Sequence, residues 1–393
     1  MDEPEVSYII NELAENREDY FRAIAPPIIQ TSNFAFETVD DLRNSLQDEY
    51  STWLYSRGLN PTVEILRKKL AALDGAEDCL VFNSGAAAIF AGVFANVKSG
   101  DHIISVDEPY TWAQKMFNDI LPRFNISTTY IDGTDTENFK KATKDNTTLY
   151  YLESPNSWTF DLQNLKTVAE LAKEKNIVTI CDNSYCTPLN QKPVEYGIDL
   201  VLQSASKFIG GHSDTIAGVL SGSSKMIGRI FNSEYMNIGS GIQPFNAWLL
   251  IRGLRTLPAR LDRITNTTNK IVTYLKQQPR VEKVIFPFDE TFPQYHLAKQ
   301  QMKGACGLLS FVVITKHVET IETFCNSLVH VLIGVSWGGH ESLIMPKCAG
   351  MLREDFNAAV TTHRMIRMYA GLEDADYIIE DIESAFKAIS SME

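Results

Sequence analysis

Short apolar runs alternate with helix-forming segments through the middle of this chain of 393 residues. The apolar runs lie at residues 79–82, 102–106, 126–131, 148–153, 177–182, 198–202 and 217–221. Strands that alternate with helices at this spacing form right-handed βαβ units, so the sequence predicts an α/β fold with a mainly parallel sheet wrapped by helices. Open sheets of this kind bind ligands at the carboxyl ends of their strands, which is where the polar motifs of this chain fall.

A lysine follows the apolar run at residues 198–202. Lys207 stands in the stretch 199–214, together with the hydroxyl groups of Ser204 and Ser206 and two glycines. A lysine just past a buried strand is partly desolvated, which lowers the pKa of its ammonium group and makes the amine a nucleophile for Schiff-base chemistry. The alternative is an exposed lysine on a Ser/Gly loop, and this stretch alone leaves both interpretations open.

Two other strand ends carry groups that suit the binding of charge. Gly85 and Ala86 open a helix after the run at residues 79–82, and the first amides of a helix bind anions, although small residues there also serve packing. Asp182 ends the run at residues 177–182, where a buried carboxylate needs a positive partner. A structural salt bridge or a helix cap would also satisfy Asp182.

Four further candidates are ambiguous from residue type alone. Tyr110 follows the run at residues 102–106 and is an ordinary packing residue if nothing else is known. Tyr55 and Arg57 precede a helix and read as loop residues, since both types are common on surfaces. Arg367 lies in an apolar strand, where an arginine must find an anion, and a structural ion pair would be sufficient.

Composition excludes several classes of protein. The net charge of −13 argues against a nucleic-acid partner. The first thirty residues lack the basic segment of a signal peptide, and no window approaches the roughly 20 apolar residues of a membrane span. Six cysteines and seven histidines are scattered without metal-binding spacing, so we expect no metal, and reduced thiols in a cytoplasmic protein.

The ends of several elements are predicted from local signals. Residues 6–21 have the pattern of an amphipathic helix that stops before Pro26. Thr62 is predicted to cap a helix that ends at residues 74–75. In the last third of the chain, residues 264–276 and 318–328 are predicted as helices, and residues 308–314 and 331–335 as strands.

The stretch 199–214 resembles the cofactor-lysine signature of the Cys/Met-metabolism enzymes that use pyridoxal 5'-phosphate. This family includes cystathionine γ-synthases, cystathionine β- and γ-lyases and methionine γ-lyases. Residues 55–62 are similar to the family's Tyr-Ser-Arg-x-x-Asn-Pro-Thr segment, and seven motifs occur in the family's order between Tyr55 and Glu373. Ser206 stands where the family usually has threonine, which keeps a hydroxyl group. The chain is identified as a member of this family.

The resemblance implies a fold and a division of the chain. The expected fold is that of fold type I pyridoxal phosphate enzymes, with a seven-stranded, mainly parallel sheet and a smaller C-terminal α/β domain. Residues 1–60 are expected to form an arm that contributes to the neighbouring subunit's site, residues 61–253 the cofactor-binding domain and residues 254–393 the C-terminal domain. Residues 243–257 are similar to the family's helix and its turn into that last domain.

The resemblance also implies roles for individual residues. Lys207 would carry pyridoxal 5'-phosphate as a Schiff base, Asp182 would hold the ring nitrogen protonated, and Tyr110 would stack on the ring as a possible proton donor. The cofactor-binding set would be Tyr55, Arg57, Gly85, Ala86, Tyr110, Asp182, Ser204, Ser206 and Lys207. Tyr55 and Arg57 would reach the phosphate of a neighbouring subunit, which implies at least a homodimer, with a homotetramer expected.

Substrate specificity depends on the C-terminal motifs. Arg367 would bind the substrate's α-carboxylate with Ser336 beside it. Trp337 gives a Ser-Trp-Gly-Gly sequence like that of cystathionine β-lyases, and Val335 stands where γ-synthases and γ-lyases often carry glutamate. The cysteine that methionine γ-lyases carry shortly after the tyrosine equivalent to Tyr110 is absent.

These details predict a carbon–sulfur lyase that performs β-elimination on cystathionine or a related sulfur amino acid, giving pyruvate, ammonia and a thiol. One alternative is γ-elimination or γ-replacement on an activated homoserine, methionine or cystathionine. An aminotransferase on the same fold is a second alternative, which would leave pyridoxamine phosphate after turnover. A non-catalytic protein is disfavoured because all four predicted catalytic and carboxylate-binding residues are present.

Overall fold

The computed structural model of the protein describes residues 3–392, which form two compact units. Unit 1 comprises the residues up to Pro155, Asp161–Gly210 and Asp214–Arg255. Unit 2 comprises Asn156–Phe160, Gly211–Ser213 and the residues from Thr256 onward. No sequence pattern indicated the two short segments, 156–160 and 211–213, that belong to unit 2.

Unit 1 contains a seven-stranded sheet. Its strands are β1 (Asp78–Phe82), β2 (His102–Val106), β3 (Ser127–Ile131), β4 (Thr147–Glu153), β5 (Val178–Asp182), β6 (Leu200–Ser204) and β7 (Gly218–Gly222). Their order in the sheet is β1-β7-β6-β5-β4-β2-β3. The strands β2 to β6 pair in parallel, whereas β7 is antiparallel to both β1 and β6. The mainly parallel α/β fold predicted from the alternation is thereby confirmed.

Both faces of this sheet are buried, which explains the continuous apolar runs in the sequence. Successive residues of β4 point to opposite faces: Leu149 and Tyr151 join one apolar core, and Tyr150 and Leu152 join the other. The helices of unit 1 are α1 (Glu3–Asn11), α2 (Val39–Ser45), α3 (Pro61–Asp74), α4 (Gly85–Phe94), α5 (Thr111–Lys115), α6 (Thr136–Ala142), α7 (Leu165–Lys175), α8 (Thr187–Asn190) and α9 (Ser224–Ile230).

Unit 2 contains a five-stranded sheet in the order β10-β11-β12-β9-β8. The strands are β8 (Val281–Ile285), β9 (Leu308–Val313), β10 (Leu332–Ile333), β11 (Leu343–Pro346) and β12 (Met365–Tyr369). The helices are α11 (Tyr295–Gln301), α12 (Val318–Asn326) and α13 (Ala375–Ala388). The strand predicted at residues 331–335 is thus shorter than expected, because only two of its residues pair with β11.

The helix predicted at residues 6–21 is wrong beyond Asn11. Ala14 adopts a left-handed conformation with φ of 64°, which ends the helical path. The following residue, Glu15, turns inward and its carboxylate lies 3.0 Å from both Lys69 Nζ and Arg255 Nη2. The path of the chain after Asn11 therefore follows the ion pairs of Glu15 with these two cations rather than the amphipathic pattern.

The predicted cap of α3 is also wrong by two residues. Asn60 is the N-cap, because its side-chain oxygen accepts from the Thr62 amide at 3.0 Å. The Thr62 hydroxyl instead donates to the Pro27 carbonyl and accepts from the Ile29 amide, both at 2.9 Å. Thr62 thereby ties the arm to α3, and Gly75 ends that helix with φ of 70° as predicted.

The turn predicted within residues 252–257 does not exist. A single helix, α10 (Pro244–Leu275), runs through it for 32 residues, with Pro258 in its interior. Gly253 serves close packing rather than a turn, since a Cβ there would lie 2.4 Å from the Ile209 carbonyl oxygen. None of the helices within residues 3–392, α10 included, is long and apolar enough to cross a membrane.

Candidate active site

The loop that follows β6 carries Lys207. The Lys207 amide donates to the Ser204 carbonyl at 3.1 Å, and the Gly210 amide donates to the Ala205 carbonyl at 2.8 Å, so the chain turns sharply as it leaves the strand. The Ser206 hydroxyl donates to the Ala217 carbonyl at 3.2 Å and accepts from the Ala217 amide at 2.9 Å. The single hydroxyl hydrogen of Ser206 is thus used in the bond to the Ala217 carbonyl. Ser206 could donate to a bound anion only if its hydroxyl group rotated away from that carbonyl.

A cradle of small residues lies beside this loop at the start of α4. A Cβ on Gly85 would lie 3.3 Å from Ser204 Oγ, and a Cβ on Gly218 would lie 2.3 Å from the Ser84 carbonyl oxygen. Ser84 caps the helix by accepting from the Ala87 amide at 3.1 Å. The missing side chains therefore let the first turn of α4, with Gly85 and Ala86, approach Ser204, and the amides of that turn have an arrangement that suits an anion.

Asp182 ends β5 and is only 8% exposed. Burial raises the pKa of its carboxyl group above the ordinary value, while the hydrogen bonds from Ser184 and the positive charge of Lys207 act in the opposite direction. The Ser184 amide donates to Asp182 Oδ1 at 2.9 Å. The charge of Lys207 thus acts on a carboxylate that water barely reaches.

Tyr110 is held by a residue that sequence reasoning did not assign to the site. Glu153 ends β4, lies opposite Asp182 in the sheet, and accepts from the Tyr110 amide at 2.6 Å. Partial burial raises the pKa of the Tyr110 phenol, and the negative charges of Asp182 and Glu153 raise it further. A carboxylate at the end of a predicted strand was the available signal for Glu153, the same signal that singled out Asp182.

Tyr55 and Arg57 lie next to each other on the surface of the arm. The guanidinium carbon of Arg57 lies 5.5 Å from the centroid of the Tyr55 ring, and both side chains are exposed. The backbone around them is anchored by the Ser56 amide, which donates to Ser32, and by Asn60 Nδ2, which donates to the Ile29 carbonyl at 2.9 Å. The two side chains are thus in contact with each other without being buried.

The remaining predicted residues belong to unit 2. Arg367 lies in β12 and is 7% exposed, and its guanidinium donates to the Ser157 carbonyl at 3.0 Å and contacts Met345 Sδ at 3.6 Å. Ser336 is exposed, with φ of 81°, which is a strained backbone conformation for serine. Trp337 is buried.

The groups of unit 1 fit pyridoxal 5'-phosphate. The α4 cradle suits a phosphate dianion, Lys207 supplies an amine for an aldehyde, and the buried Asp182 carboxylate suits a protonated ring nitrogen. Tyr151, whose pKa is raised well above the ordinary value by burial, has a buried hydroxyl group with no hydrogen-bond partner among the described residues. Within residues 3–392, no group of three or more His, Cys, Asp or Glu side chains is arranged to hold a metal ion.

Comparison with protein families gives a match over nearly the whole chain. Residues 8–387 match the family model described as Cys/Met metabolism PLP-dependent enzyme. The L-methionine gamma-lyase of Treponema denticola is 35% identical over 373 residues, which are 93% of this chain and 92% of that protein. The cystathionine beta-lyase of Bacillus subtilis is 31% identical and covers 94% of this chain and 93% of its own length. Other relatives are named cystathionine gamma-lyase and L-alanine/L-glutamate racemase, so the names of the relatives refer to several different reactions.

A solved structure shares the fold and shows the cofactor. The putative O-acetylhomoserine (thiol)-lyase of Campylobacter jejuni superposes with a TM-score of 0.90 at 25% sequence identity, over 97% of this chain and 99% of that one. It carries N'-pyridoxyl-lysine-5'-monophosphate. The fold type, the family and the cofactor predicted from the sequence are therefore confirmed. The chain belongs to the Cys/Met-metabolism family of pyridoxal 5'-phosphate-dependent enzymes, and it is a pyridoxal phosphate-dependent lyase of sulfur amino acid metabolism.

Proposed function

We propose that the protein catalyses β-elimination on cystathionine or a related sulfur amino acid. The observation that carries this proposal is the segment at residues 335–339, in which Trp337 is buried and position 335 holds an exposed valine, 73% exposed, instead of a carboxylate. The resemblance of this segment to cystathionine β-lyases, and the lack of an acid that would attract a distal ammonium group, favour β-chemistry. The relative named cystathionine beta-lyase supports the same reaction.

The residues of the chain would divide the work as follows. We assign to Arg367 the binding of the α-carboxylate, and to the Lys207 amine the removal of the proton from Cα. The bound cofactor supplies an electron sink for the resulting carbanion. The Cβ–S bond then breaks with its electron pair on sulfur, and Tyr110, whose raised pKa keeps its phenol protonated, can donate the proton to the leaving thiolate. The three-carbon product, 2-aminoacrylate, is hydrolysed by one water to pyruvate and ammonia.

Gamma-chemistry is the alternative, supported by the relative named L-methionine gamma-lyase. In γ-elimination the Cγ–S or Cγ–O bond breaks and the keto acid is 2-oxobutyrate rather than pyruvate. In γ-replacement a thiol takes the place of the leaving group and no keto acid forms.

Product analysis separates these reactions. The purified holoenzyme is incubated separately with cystathionine, cysteine, methionine and O-acetylhomoserine, and keto acids and thiols are identified by mass spectrometry. We expect pyruvate and homocysteine in equal amounts from cystathionine. Formation of 2-oxobutyrate in place of pyruvate would overturn the proposal, and chiral analysis of the recovered amino acids would reveal racemisation.

We also propose that the protein is at least a homodimer, in which Tyr55 and Arg57 bind the cofactor phosphate of the neighbouring subunit. Two features support this. The side chains of Tyr55 and Arg57 contact each other yet are exposed, and the arm that precedes them exposes large apolar residues, among them Phe21 and Ile24. Whether two dimers join into the expected tetramer stays a prediction.

A further inference from the structure

A row of side chains crosses one face of the sheet in unit 2. Arg367 of β12 pairs with Ser310 of β9 on one side and with Met345 of β11 on the other. Directly opposed residues of neighbouring strands point to the same face of a sheet. Lys347 directly follows Pro346, the last residue of β11, and begins a short 3-10 helix.

The indole of Trp158 lies over this row. The Ser310 hydroxyl donates to the Trp158 carbonyl at 2.8 Å, which fixes the residue to β9. The guanidinium carbon of Arg367 lies 4.7 Å from the centroid of the Trp158 ring, and Lys347 Nζ lies 4.9 Å from the same centroid. Since each cationic group lies within 5 Å of one point, the two are less than 10 Å apart. The aromatic ring holds both by cation–π attraction.

The segment that carries Trp158 is tied together by hydrogen bonds to one side chain. The side-chain oxygen of Asn156 accepts from the amides of Trp158, Thr159 and Phe160, at 3.0, 2.9 and 3.0 Å. The same segment presents the Ser157 carbonyl to Arg367. Both positive groups therefore lie against one hydrogen-bonded segment before any ligand binds, which lowers the entropic cost of binding a second anion.

We propose that Lys347 binds a second carboxylate, at the far end of the substrate, while Trp158 positions both Lys347 and Arg367. The proposal rests on the proposed function in that Arg367 binds the α-carboxylate. Seven covalent bonds separate the two carboxyl carbons of cystathionine, a span of roughly 9 Å when extended. The site therefore selects sulfur amino acids whose sulfur substituent ends in an anionic group over those with a neutral substituent.

A matched pair of substrates isolates the second carboxylate. S-(2-carboxyethyl)cysteine and its primary amide have nearly the same shape and differ in the terminal charge. In Lys347→Met, we expect the KM for the acid to rise about ten-fold or more, with kcat within about two-fold of wild type and the KM for the amide unchanged. Lys347→Arg restores much of the preference because the charge is kept. Lys316→Met, which removes an exposed lysine of unit 2, is the control and leaves both KM values unchanged.

An equal rise of KM for acid and amide in Lys347→Met would overturn the proposal, because it would reduce Lys347 to structural support of Trp158. No change for either substrate would overturn it as well. Trp158→Leu is expected to raise KM for both substrates, since Arg367 and Lys347 lose their common support.

Equilibrium binding keeps this test independent of the reaction type. The α-methyl analogues of the two substrates have no Cα hydrogen, so they bind without elimination. Calorimetric titration of the holoenzyme should show tighter binding of the acid than of the amide, and Lys347→Met should abolish the difference. If neither substrate yields pyruvate but this difference is found, the β-elimination proposal fails and the assignment of Lys347 stands. Binding that is indifferent to Lys347 overturns the assignment, whatever reaction the enzyme performs.

Discussion

Asp182 is the residue whose surroundings bear most directly on cofactor chemistry. Burial opposes ionisation of its carboxyl group, and only the Ser184 hydrogen bonds and the charge of Lys207 counteract burial in the pKa of this group. A protonated ring nitrogen at contact distance would add a strong favourable interaction with the carboxylate. The same interaction would keep the ring positive, which is the property that the electron sink requires.

Asp182→Asn is expected to lower kcat by about 100-fold or more, because a neutral amide cannot stabilise a positive ring nitrogen through charge. The visible absorption band of the bound cofactor should also change in position or strength. Turnover and absorption spectra of the purified variant are the measurements. Asp145→Asn, at an exposed position of unit 1, is the matched control and should leave both unchanged. An Asp182→Asn enzyme with wild-type kcat and spectrum would contradict the role proposed for the carboxylate.

Single residues were predictable where the signal is local. Asp182 ends a buried apolar strand and Lys207 follows another, so both positions can be read from the sequence as polar groups at strand ends. Trp158 could not be identified in this way. The positioning role that we propose for it depends on contacts with Ser310, Lys347 and Arg367, which are more than 150 residues away in the chain. Only the folded backbone brings such residues together.

At the scale of elements, the end of α3 is joined to β6 and β7 by a buried carboxylate. Gln203 Nε2 donates to Asp74 Oδ1 and the Ser221 hydroxyl donates to Asp74 Oδ2, both at 2.6 Å. Burial raises the pKa of Asp74 to about 7, although both hydrogen bonds and the charge of Lys192 lower it. Gln203 immediately precedes Ser204, so this network supports the strand end that leads into the lysine loop.

The raised pKa of Asp74 predicts a dependence of stability on pH. In an unfolded chain an aspartate titrates near pH 3.9, so between about pH 4 and pH 7 the folded protein binds one more proton at Asp74 than the unfolded chain. The free energy of unfolding therefore falls as pH rises through this window. Asp74→Asn cannot ionise and should gain stability relative to wild type between pH 5 and pH 8, by up to about 3 kcal/mol. Urea unfolding of both proteins at the two pH values measures this difference.

The Asp145→Asn variant again serves as the control, with a difference from wild type that stays constant between the two pH values. A constant difference for Asp74→Asn would show that Asp74 is ionised in the folded protein across this range. It would also remove the reason for treating the α3 end as sensitive to pH.

Elements were predictable to different degrees for physical reasons. The strands of unit 1 were found because burial on both faces demands unbroken apolar residues, as in β4 and β5. The true course of α10 was hidden, because Gly253 and Pro258 are usual signals for the end of a helix. In the fold, Gly253 is required by the close approach of the Ile209 carbonyl, a tertiary reason that no local pattern reveals.

At the scale of the whole molecule, the arm presents apolar side chains to solvent in the isolated chain. Phe21 is fully exposed and Ile24 is 82% exposed. The exposed pair of Tyr55 and Arg57 lies in the same arm. Large exposed apolar side chains of this kind are typical of a surface that a partner covers. A second copy of the chain is the partner that we propose.

The proposed dimer, in which each site draws residues from both subunits, predicts that two inactive variants restore activity when combined. In a hybrid dimer of Lys207→Ala and Arg57→Ala chains, one site carries both defects and the other carries neither. Random mixing of equal amounts after reversible dissociation makes half of the dimers hybrids, so we expect about a quarter of wild-type activity. Each variant assayed alone is the control. Mixed samples that stay as inactive as the separate variants, although mass measurement shows hybrid dimers, would place Arg57 at its own chain's site or at none.

The continuous α10 has a consequence for any attempt to take the protein apart. Residues on both sides of the division at Arg255 belong to one rod of 32 residues, and unit 2 also draws on residues 156–160 and 211–213. Cutting the polypeptide at position 253 would divide this helix into two shorter helices with unpaired ends. It would also remove residues 156–160, which include Trp158, from the C-terminal fragment. Neither half is thus a self-sufficient module, and recombination between relatives is expected to succeed only when both units are inherited from the same parent.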